Sequence, residues 1–229
     1  MQIITSITKL RTILKNARRK GKSIGFVPTM GALHEGHGSL LRQARKENDA
    51  VVLSIFVNPK QFGKNEDFTK YPREKNKDCL FAKKQNVDII FYPSVKEMYP
   101  ERYLTSINIE QMTQGLCGAG RPGHFRGVAT VVGKLLNIIA PDRMYLGQKD
   151  AQQCAVLKQM VRDLNFPVTV VVLPTVREKD GLALSSRNQY LNETQRQEAP
   201  VLYKALCLAR DHIAQGERDP NIIAAIIRD

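Results

Sequence analysis

The sequence has 229 residues, of which 42% are hydrophobic and 25% charged, the balance of a folded globular protein rather than of a disordered chain. No apolar run approaches the roughly 20 residues that cross a bilayer, and the N-terminus lacks the apolar stretch of a secretory signal, so a cytoplasmic protein is expected. The net charge of +13 favours anionic partners, but it does not distinguish nucleic acid, an anionic membrane and a polyphosphate ligand.

An amphipathic helix is the first predicted element. Its apolar residues have helical spacing and lead directly into the first strand: Ile7, Leu10, Ile13, Leu14 and Ala17. The first 34 residues carry basic side chains and no acid, as in an organellar transit peptide. A basic surface helix packed on the domain explains this pattern without targeting.

Short β-branched runs then alternate with helical patterns, which is typical of a parallel sheet with crossover helices. Five strands are predicted, at residues 23–27, 51–57, 87–92, 143–146 and 168–173. Helices are predicted at residues 39–47, 73–85, 128–139 and 151–164. The third crossover contains a long insertion, residues 93–126, with an edge-like strand at residues 103–109 and the motif RPGHFRG; insertions of this length are usually functional.

The fold class that follows is α/β, a Rossmann-like doubly wound parallel sheet of strand order 3-2-1-4-5. In such a sheet a ligand binds beyond the carboxyl ends of strands 1 and 4, where the order reverses. The loops at that point are PTMGALHEGH and GQKDAQQ. Residues 1–175 are assigned to this domain, and residues 176–229 to a smaller C-terminal lid domain with a helix opened by Asn192 and running through residues 193–215.

In the first loop, His34 and His37 lie three residues apart where the chain enters a helix. A helix start offers unpaired N–H groups and a positive dipole end, so phosphate is the expected ligand. Two other interpretations are a pair of histidines satisfied within a turn and a zinc site, but no further histidine or cysteine lies at metal spacing. The four cysteines form no CxxC pair, and no GxxxxGK[ST] phosphate loop occurs.

Two other segments carry charge that suits a nucleotide. In GQKD, Lys149 can contact phosphate, and Asp150 can cap the following helix or bind a ribose hydroxyl. In LSSRN, residues 184–188, two hydroxyls and a guanidinium suit pyrophosphate, and a mobile basic loop of this kind can close over a triphosphate.

Five motifs in order, MGALHEGH, SIFVNPKQF, RPGHFRGV, GQKDAQQ and KDGLALSSRNQYL, resemble the pantothenate synthetase family across essentially the whole chain. HxGH alone is shared with many nucleotidyltransferases. The resemblance implies an enzyme that joins (R)-pantoate to β-alanine through a pantoyl adenylate, consuming ATP with Mg2+ and releasing AMP and diphosphate. It also implies a homodimer whose partners are small molecules, with neither nucleic acid nor membrane among them.

The resemblance also implies the site residues. Those implied to act in catalysis are His34, His37, Lys149 and Arg187, with His37 as the proton donor. Those implied to bind ATP are Met30, Gly31, Ala32, Leu33, His34, Glu35, Gly36, His37, Gly147, Gln148, Lys149, Asp150, Val176, Leu184, Ser185, Ser186 and Arg187. Gln61 is implied to bind pantoate and β-alanine, and Gln153 pantoate. Asn58 is a candidate neighbour of the reacting groups, Asp78 is a candidate carboxylate near the magnesium, and the metal ligands are not assigned.

The sequence departs from the family pattern in four places. Gln148 stands where glutamate is frequent, Gly38 where an apolar residue is usual, and Leu184 where methionine is common. Residues 221–229, NIIAAIIRD, end in an apolar helical pattern, whereas family members continue into an antiparallel sheet, so the C-terminal domain is expected to be incomplete.

Two alternatives use the same features differently. A nucleotidyltransferase with an HxGH motif would leave a nucleotide on another small substrate, and the two glutamines would then lack their expected purpose. An RNA-binding module would use the basic surface, but the aromatic content is 7% and no recognition motif is present.

Overall fold

The structure, a computed structural model, describes residues 1–228. Its central element is a six-stranded parallel sheet of order β1-β4-β3-β2-β5-β6. The strands are β1 (Gln2–Ile4), β2 (Ile24–Thr29), β3 (Ala50–Ile55), β4 (Ile89–Phe91), β5 (Arg143–Gly147) and β6 (Thr169–Leu173). The last five strands are the predicted ones in the predicted order, so the doubly wound fold class is confirmed. Strand β1 was not predicted; it extends the sheet beyond β4.

Helices cover both faces of the sheet. The helices that precede β6 are α1 (Ile7–Arg19), α2 (Glu35–Glu47), α3 (Lys75–Lys84), α4 (Val95–Met98), α5 (Cys117–Gly120), α6 (His124–Ile139) and α7 (Ala151–Asp163). One core cluster joins Leu10 of α1, Leu136 of α6 and Leu157 of α7 to one face of the strands. A second cluster joins Leu41 of α2 and Ala82 of α3 to the opposite face. Strands β2 to β6 therefore contribute alternate residues to two cores, whereas β1 contributes only Ile4, to the first cluster.

Helix α6 is the most buried helix among the described residues. All of its residues except Arg126, Lys134 and Asn137 are buried. It begins in the last residues of the long insertion, in which the predicted edge strand at residues 103–109 is wrong. That segment pairs with no strand in the part of the chain that is described, because the N–H of Ile107 donates instead to the Thr130 hydroxyl of α6 at 2.9 Å.

The chain divides into two compact units, Met1–Pro174 and a second unit that begins at Thr175, one residue from the expected boundary. The second unit contains α8 (Glu193–Glu198), α9 (Val201–Ala214) and α10 (Pro220–Arg228). The single helix predicted over residues 193–215 is thus divided at Pro200, because proline has no N–H to continue the helical hydrogen bonds. Over residues 1–228, no helix has the length and apolar character required to span a bilayer.

Candidate active site

The loop after β2 and the segment after β5 lie at the carboxyl ends of two adjacent parallel strands. Strands β2 and β5 pair directly, with Gly25 opposite Arg143 and Phe26 opposite Met144, and the strand order reverses at this pair. The link after β5, Gln148–Asp150, is a single 3-10 turn that leads directly into α7. The charges of Lys149 and Asp150 act on His34, so the structure brings together the two loops that the sequence predicted to meet.

Asp78, from the first turn of α3, holds the loop before α2. Its two carboxylate oxygens accept the backbone N–H groups of Ala32 at 3.1 Å and Leu33 at 2.7 Å, and the residue is only 3% exposed. Burial raises the pKa of this carboxyl, and the two hydrogen bonds oppose that shift. Both carboxylate oxygens of Asp78 therefore bind the loop backbone. This role differs from the one expected from the sequence, that of a carboxylate near the magnesium.

Gly31 makes that contact possible. Its φ is +90°, and a Cβ at this position would lie 2.8 Å from an Asp78 oxygen and 3.0 Å from the Ile55 side chain. The next residue, Ala32, also has a positive φ of 50°. Only glycine accommodates both this backbone conformation and the approach of the carboxylate.

The two histidines of HxGH cap the start of α2 with their Nδ1 atoms. The Nδ1 of His34 accepts the N–H of Gly36 at 3.2 Å, and the Nδ1 of His37 accepts the N–H of His34 at 3.3 Å. An Nδ1 that accepts a hydrogen bond carries no proton, so both neutral rings carry their proton on Nε2. The ring centroids are 4.1 Å apart. The pair therefore presents two Nε2–H donors close together.

This capping corrects one expectation. The helix start was expected to offer unpaired backbone N–H groups to phosphate, but three of them are already used. Gly36 donates to the His34 ring, His34 donates to the His37 ring, and His37 donates to the carbonyl of His34. The two rings accept backbone N–H groups at Nδ1, and their Nε2–H groups remain as hydrogen-bond donors.

The surroundings keep both histidines neutral. Burial lowers the pKa of His37 to about 3, and the nearby His34 and Lys149 contribute in the same direction. Burial and Lys149 also lower the pKa of His34, while Asp150 opposes them. Desolvation disfavours the imidazolium form. At neutral pH the pair consequently donates hydrogen bonds without carrying charge.

Lys149 supplies the positive charge of the site. Its Nζ lies 3.3 Å from the Asp150 carboxylate, and the two side chains are 39% and 60% exposed. An ion pair this exposed is weak, so the ammonium can move to an anionic ligand at little cost. Asp150 is the N-cap residue of α7, but its side chain makes no capping hydrogen bond.

Gln61 lies in the short 3-10 helix Pro59–Gln61 after β3, and it is 9% exposed. Its Nε2 contacts the Met30 sulfur at 3.2 Å, and its Oε1 accepts from the Asn58 amide at 3.0 Å. The predicted glutamine therefore adjoins the first residue of the HxGH loop, and Asn58 is its direct partner. Gln153, in the first turn of α7, is half-buried, and its amide makes no hydrogen bond within residues 1–228.

The remaining predicted residues belong to the second unit. There the N–H of Leu184 donates to the carbonyl of Val176 at 3.0 Å, and an antiparallel bridge joins Arg177 to Ala183. The hydroxyl of Ser185 accepts the N–H of Arg187 at 3.2 Å, and Ser186–Tyr190 form a 3-10 helix. Within this unit, Val176 and the LSSR segment are thus parts of one turn structure.

Sequence reasoning did not assign residues of the RPGHFRG motif that contact Gln61. His124 lies against the backbone carbonyl of Gln61, and Arg121 lies behind His124. The sequence did indicate that this motif matters, because RPGHFRG lies in a long insertion of the kind that is usually functional. The contact between His124 and Gln61, 63 residues earlier in the chain, could not be predicted from sequence spacing.

The family model, the curated relatives and the solved structures that this chain resembles all indicate one family. A family model described as pantoate-beta-alanine ligase matches residues 2–228. A pantothenate synthetase of Caldicellulosiruptor bescii is 56% identical over 97% of this chain and 79% of its own length. The crystal structure of the pantothenate synthetase from Thermus thermophilus has a TM-score of 0.93 and 48% identity, covering 100% of this chain and 80% of the other.

A second solved structure carries ligands. The pantoate-beta-alanine ligase of Francisella tularensis, described as a complex with beta-gamma ATP and beta-alanine, is 44% identical with a TM-score of 0.84. The match covers 89% of this chain and 78% of that one.

Proposed function

This chain belongs to the pantoate-beta-alanine ligase family, and on that premise we propose that it makes pantothenate from pantoate and β-alanine through a pantoyl adenylate. The geometry that carries the proposal is the pair of neutral imidazoles. Both present Nε2–H donors beside Lys149 at the switch point of the sheet. In the Francisella tularensis relative, the bound molecules named are beta-gamma ATP and beta-alanine.

The reaction needs two steps because a carboxylate is a poor electrophile. In the first step a pantoate carboxylate oxygen attacks the α-phosphorus of ATP; the bond to the β-phosphate oxygen breaks, and diphosphate leaves. In the second step the β-alanine amine attacks the acyl carbon and loses a proton, and AMP leaves with the bridging oxygen. The protein contributes chiefly by positioning the reactants and stabilising charge.

His34 and His37 suit the first step. A neutral Nε2–H donates a hydrogen bond to a phosphate oxygen as negative charge develops there. His37, whose pKa is lowered to about 3, acts as such a donor rather than as a cationic acid. Lys149 offsets phosphate charge, and Gly147, Gln148 and Asp150 line the same side of the nucleotide. In the second unit, Arg187 also offsets phosphate charge, and Val176, Leu184, Ser185 and Ser186 contact ATP.

Magnesium enters in this proposal as the MgATP substrate. Within residues 1–228, no cluster of three or more His, Cys, Asp or Glu side chains is arranged to hold a metal ion. Mg2+ characteristically binds through substrate phosphates, water and at most one or two carboxylates. That mode fits a site in which the carboxylate of Asp150, whose charge acts on His34, is exposed.

Gln61 and Gln153 are proposed to bind pantoate, which carries hydroxyls as well as a carboxylate. An amide both donates and accepts, so it matches such a substrate without adding charge. Gln61 also contacts β-alanine. We further propose that the enzyme acts as a homodimer in the cytoplasm; the cysteines, which form no disulfide among the described residues, suit a reducing compartment.

The test is the substrate dependence of AMP release. We expect AMP only when ATP, pantoate and β-alanine are all present, and pantoate-dependent exchange of labelled diphosphate into ATP when β-alanine is omitted. A stable nucleotidyl product, or exchange that does not require pantoate, would instead identify a nucleotidyltransferase acting on another substrate.

A further inference from the structure

The first turn of α6 packs directly on the backbone that carries Gln61. A Cβ added to Gly127 would lie 2.2 Å from the carbonyl oxygen of Lys60 and 2.6 Å from the Cα of Gln61. No side chain fits between these two segments. The carbonyl of Gly127 also accepts the Asn58 amide at 3.1 Å, and the same amide donates to the Gln61 side chain. Helix α6 therefore supports the turn that contains Gln61.

His124 makes the closest polar contact between the two segments. Its Nδ1 lies 2.9 Å from the carbonyl oxygen of Gln61, and the residue is 9% exposed. A carbonyl oxygen only accepts, so Nδ1 must carry the proton. The Nε2 lies 3.2 Å from a guanidinium nitrogen of Arg121, which only donates, so Nε2 must accept. The neutral Nδ1–H tautomer satisfies both contacts at once.

Arg121 is itself held in place. Its guanidinium pairs with Glu66 through two nitrogens, with Nε at 3.0 Å from one carboxylate oxygen and the second nitrogen on the other. Bidentate pairing of this kind fixes the plane of the guanidinium. Burial and the Arg121 charge lower the pKa of His124, and the hydrogen bond to Gln61 and the carboxylates of Glu66 and Asp150 oppose them.

We propose that His124 is a positioning residue for the pantoate site. It fixes the main chain of Gln61 through its Nδ1–H, while the Glu66–Arg121 pair holds its ring in the required tautomer. This role rests on the proposed binding of pantoate by Gln61. The RPGHFRG motif thus contributes to the reaction without touching the reacting atoms.

Two substitutions separate this role from general structural support. In His124→Asn, the side-chain amide nitrogen can take the position of Nδ1 and still donate to Gln61. In His124→Gln, the amide lies at the position of Nε2 and cannot reach that carbonyl. For His124→Gln we expect KM for pantoate to rise about tenfold, as for loss of one hydrogen bond, while KM for ATP changes less than about twofold. His124→Asn should retain most of the affinity for pantoate that His124→Gln loses.

A control and a double-mutant cycle complete the experiment. Leu136→Ala lies in the same helix, is buried and is remote from Gln61; it should lower Tm but leave KM for pantoate unchanged. In a Gln61→Ala background, His124→Gln should have no further effect on KM for pantoate, because the two residues act as one unit.

The outcomes distinguish the inference from the proposed function. If the unmodified enzyme shows no pantoate-dependent AMP release, the proposed function fails. If it does, but the Asn and Gln variants behave alike, or KM for ATP rises together with KM for pantoate, His124 has only a general structural role and the inference is wrong.

Discussion

The Nδ1 of His37 accepts the backbone N–H of His34 at 3.3 Å, and this contact decides which nitrogen of His37 can face a ligand. Because Nδ1 is used, only Nε2–H can donate outward. His124 has the opposite arrangement, with Nδ1 as its donor and Nε2 as its acceptor. His34 and His37 therefore share one tautomer and His124 has the other, and a backbone group fixes each choice.

The first prediction concerns the donor at position 37. In His37→Gln the amide nitrogen can approach the position of Nε2, whereas in His37→Asn it lies near Nδ1. We expect His37→Asn to lower the rate of pantoate-dependent diphosphate exchange on the order of 10²- to 10³-fold, as for loss of one oxyanion donor. His37→Gln should retain clearly more activity. Equal losses in both variants would contradict the role of the Nε2–H group.

The second prediction concerns stability against pH. The pKa of His37 is about 3 in the folded protein, against an ordinary value of 6.5 for an exposed histidine. Between these values the unfolded chain binds the extra proton, so the free energy of unfolding should fall as pH decreases from about 6.5, by up to roughly 1.4 kcal/mol per pH unit. Urea denaturation at several pH values measures this slope. His37→Gln should have a shallower slope in the same range.

The third prediction concerns Asp78. In Asp78→Asn one carboxylate oxygen is replaced by an NH2 group, which cannot accept the N–H of Ala32 or Leu33. We expect the free energy of unfolding to fall by about 1–3 kcal/mol, and KM for ATP to rise because the loop is no longer held. If stability is unchanged and the variant merely requires more Mg2+, Asp78 acts near the metal ion instead.

The fourth prediction concerns Lys149. Lys149→Met should lower kcat/KM for ATP roughly 10- to 100-fold, the loss expected for one charge-assisted contact. Its stability should change by less than about 0.5 kcal/mol, since the pair with Asp150 is exposed. The matched control, Lys158→Met, removes the same charge from an exposed position on α7. Equal effects of the two variants would mean that only the overall charge matters.

The fifth prediction compares two Gly→Ala substitutions. A Cβ at Gly38 would meet only side-chain atoms, of Glu35, Arg42 and Phe81 at 3.0–3.1 Å. The Glu35 and Arg42 ends can move, so Gly38→Ala should stabilise α2 by up to roughly 1 kcal/mol. At Gly127 the Cβ would meet rigid backbone at 2.2 Å. Gly127→Ala should lower the free energy of unfolding by about 1–3 kcal/mol and raise KM for pantoate. Thermal unfolding and initial rates measure both.

The sequence contained enough to predict the sheet and the two loops at its switch point. Alternation of β-branched runs with helical patterns is a local signal, and the order of a doubly wound sheet limits where the loops can meet. The three-residue strand β1 was missed because Gln2–Ile4 is too short to stand out from the helix that follows. Pairing with β4 is what makes it a strand.

The supporting contacts could not be predicted in this way. The hydrogen bond from Leu33 to Asp78 spans 45 residues, and that from His124 to Gln61 spans 63. No periodicity links such positions. The helix start was expected to offer unpaired backbone N–H groups to phosphate, but the two histidine rings and the His34 carbonyl accept three of these groups.

The burial of α6 affects which parts of the protein can unfold locally. A helix buried on nearly all sides exchanges its amide protons only when a large part of the structure unfolds. The turn that carries Gln61 is attached to the first residues of this helix through His124, Gly127 and Asn58. The support of Gln61 should then persist through local openings that release exposed loops, and it should be lost only together with the core of the first unit.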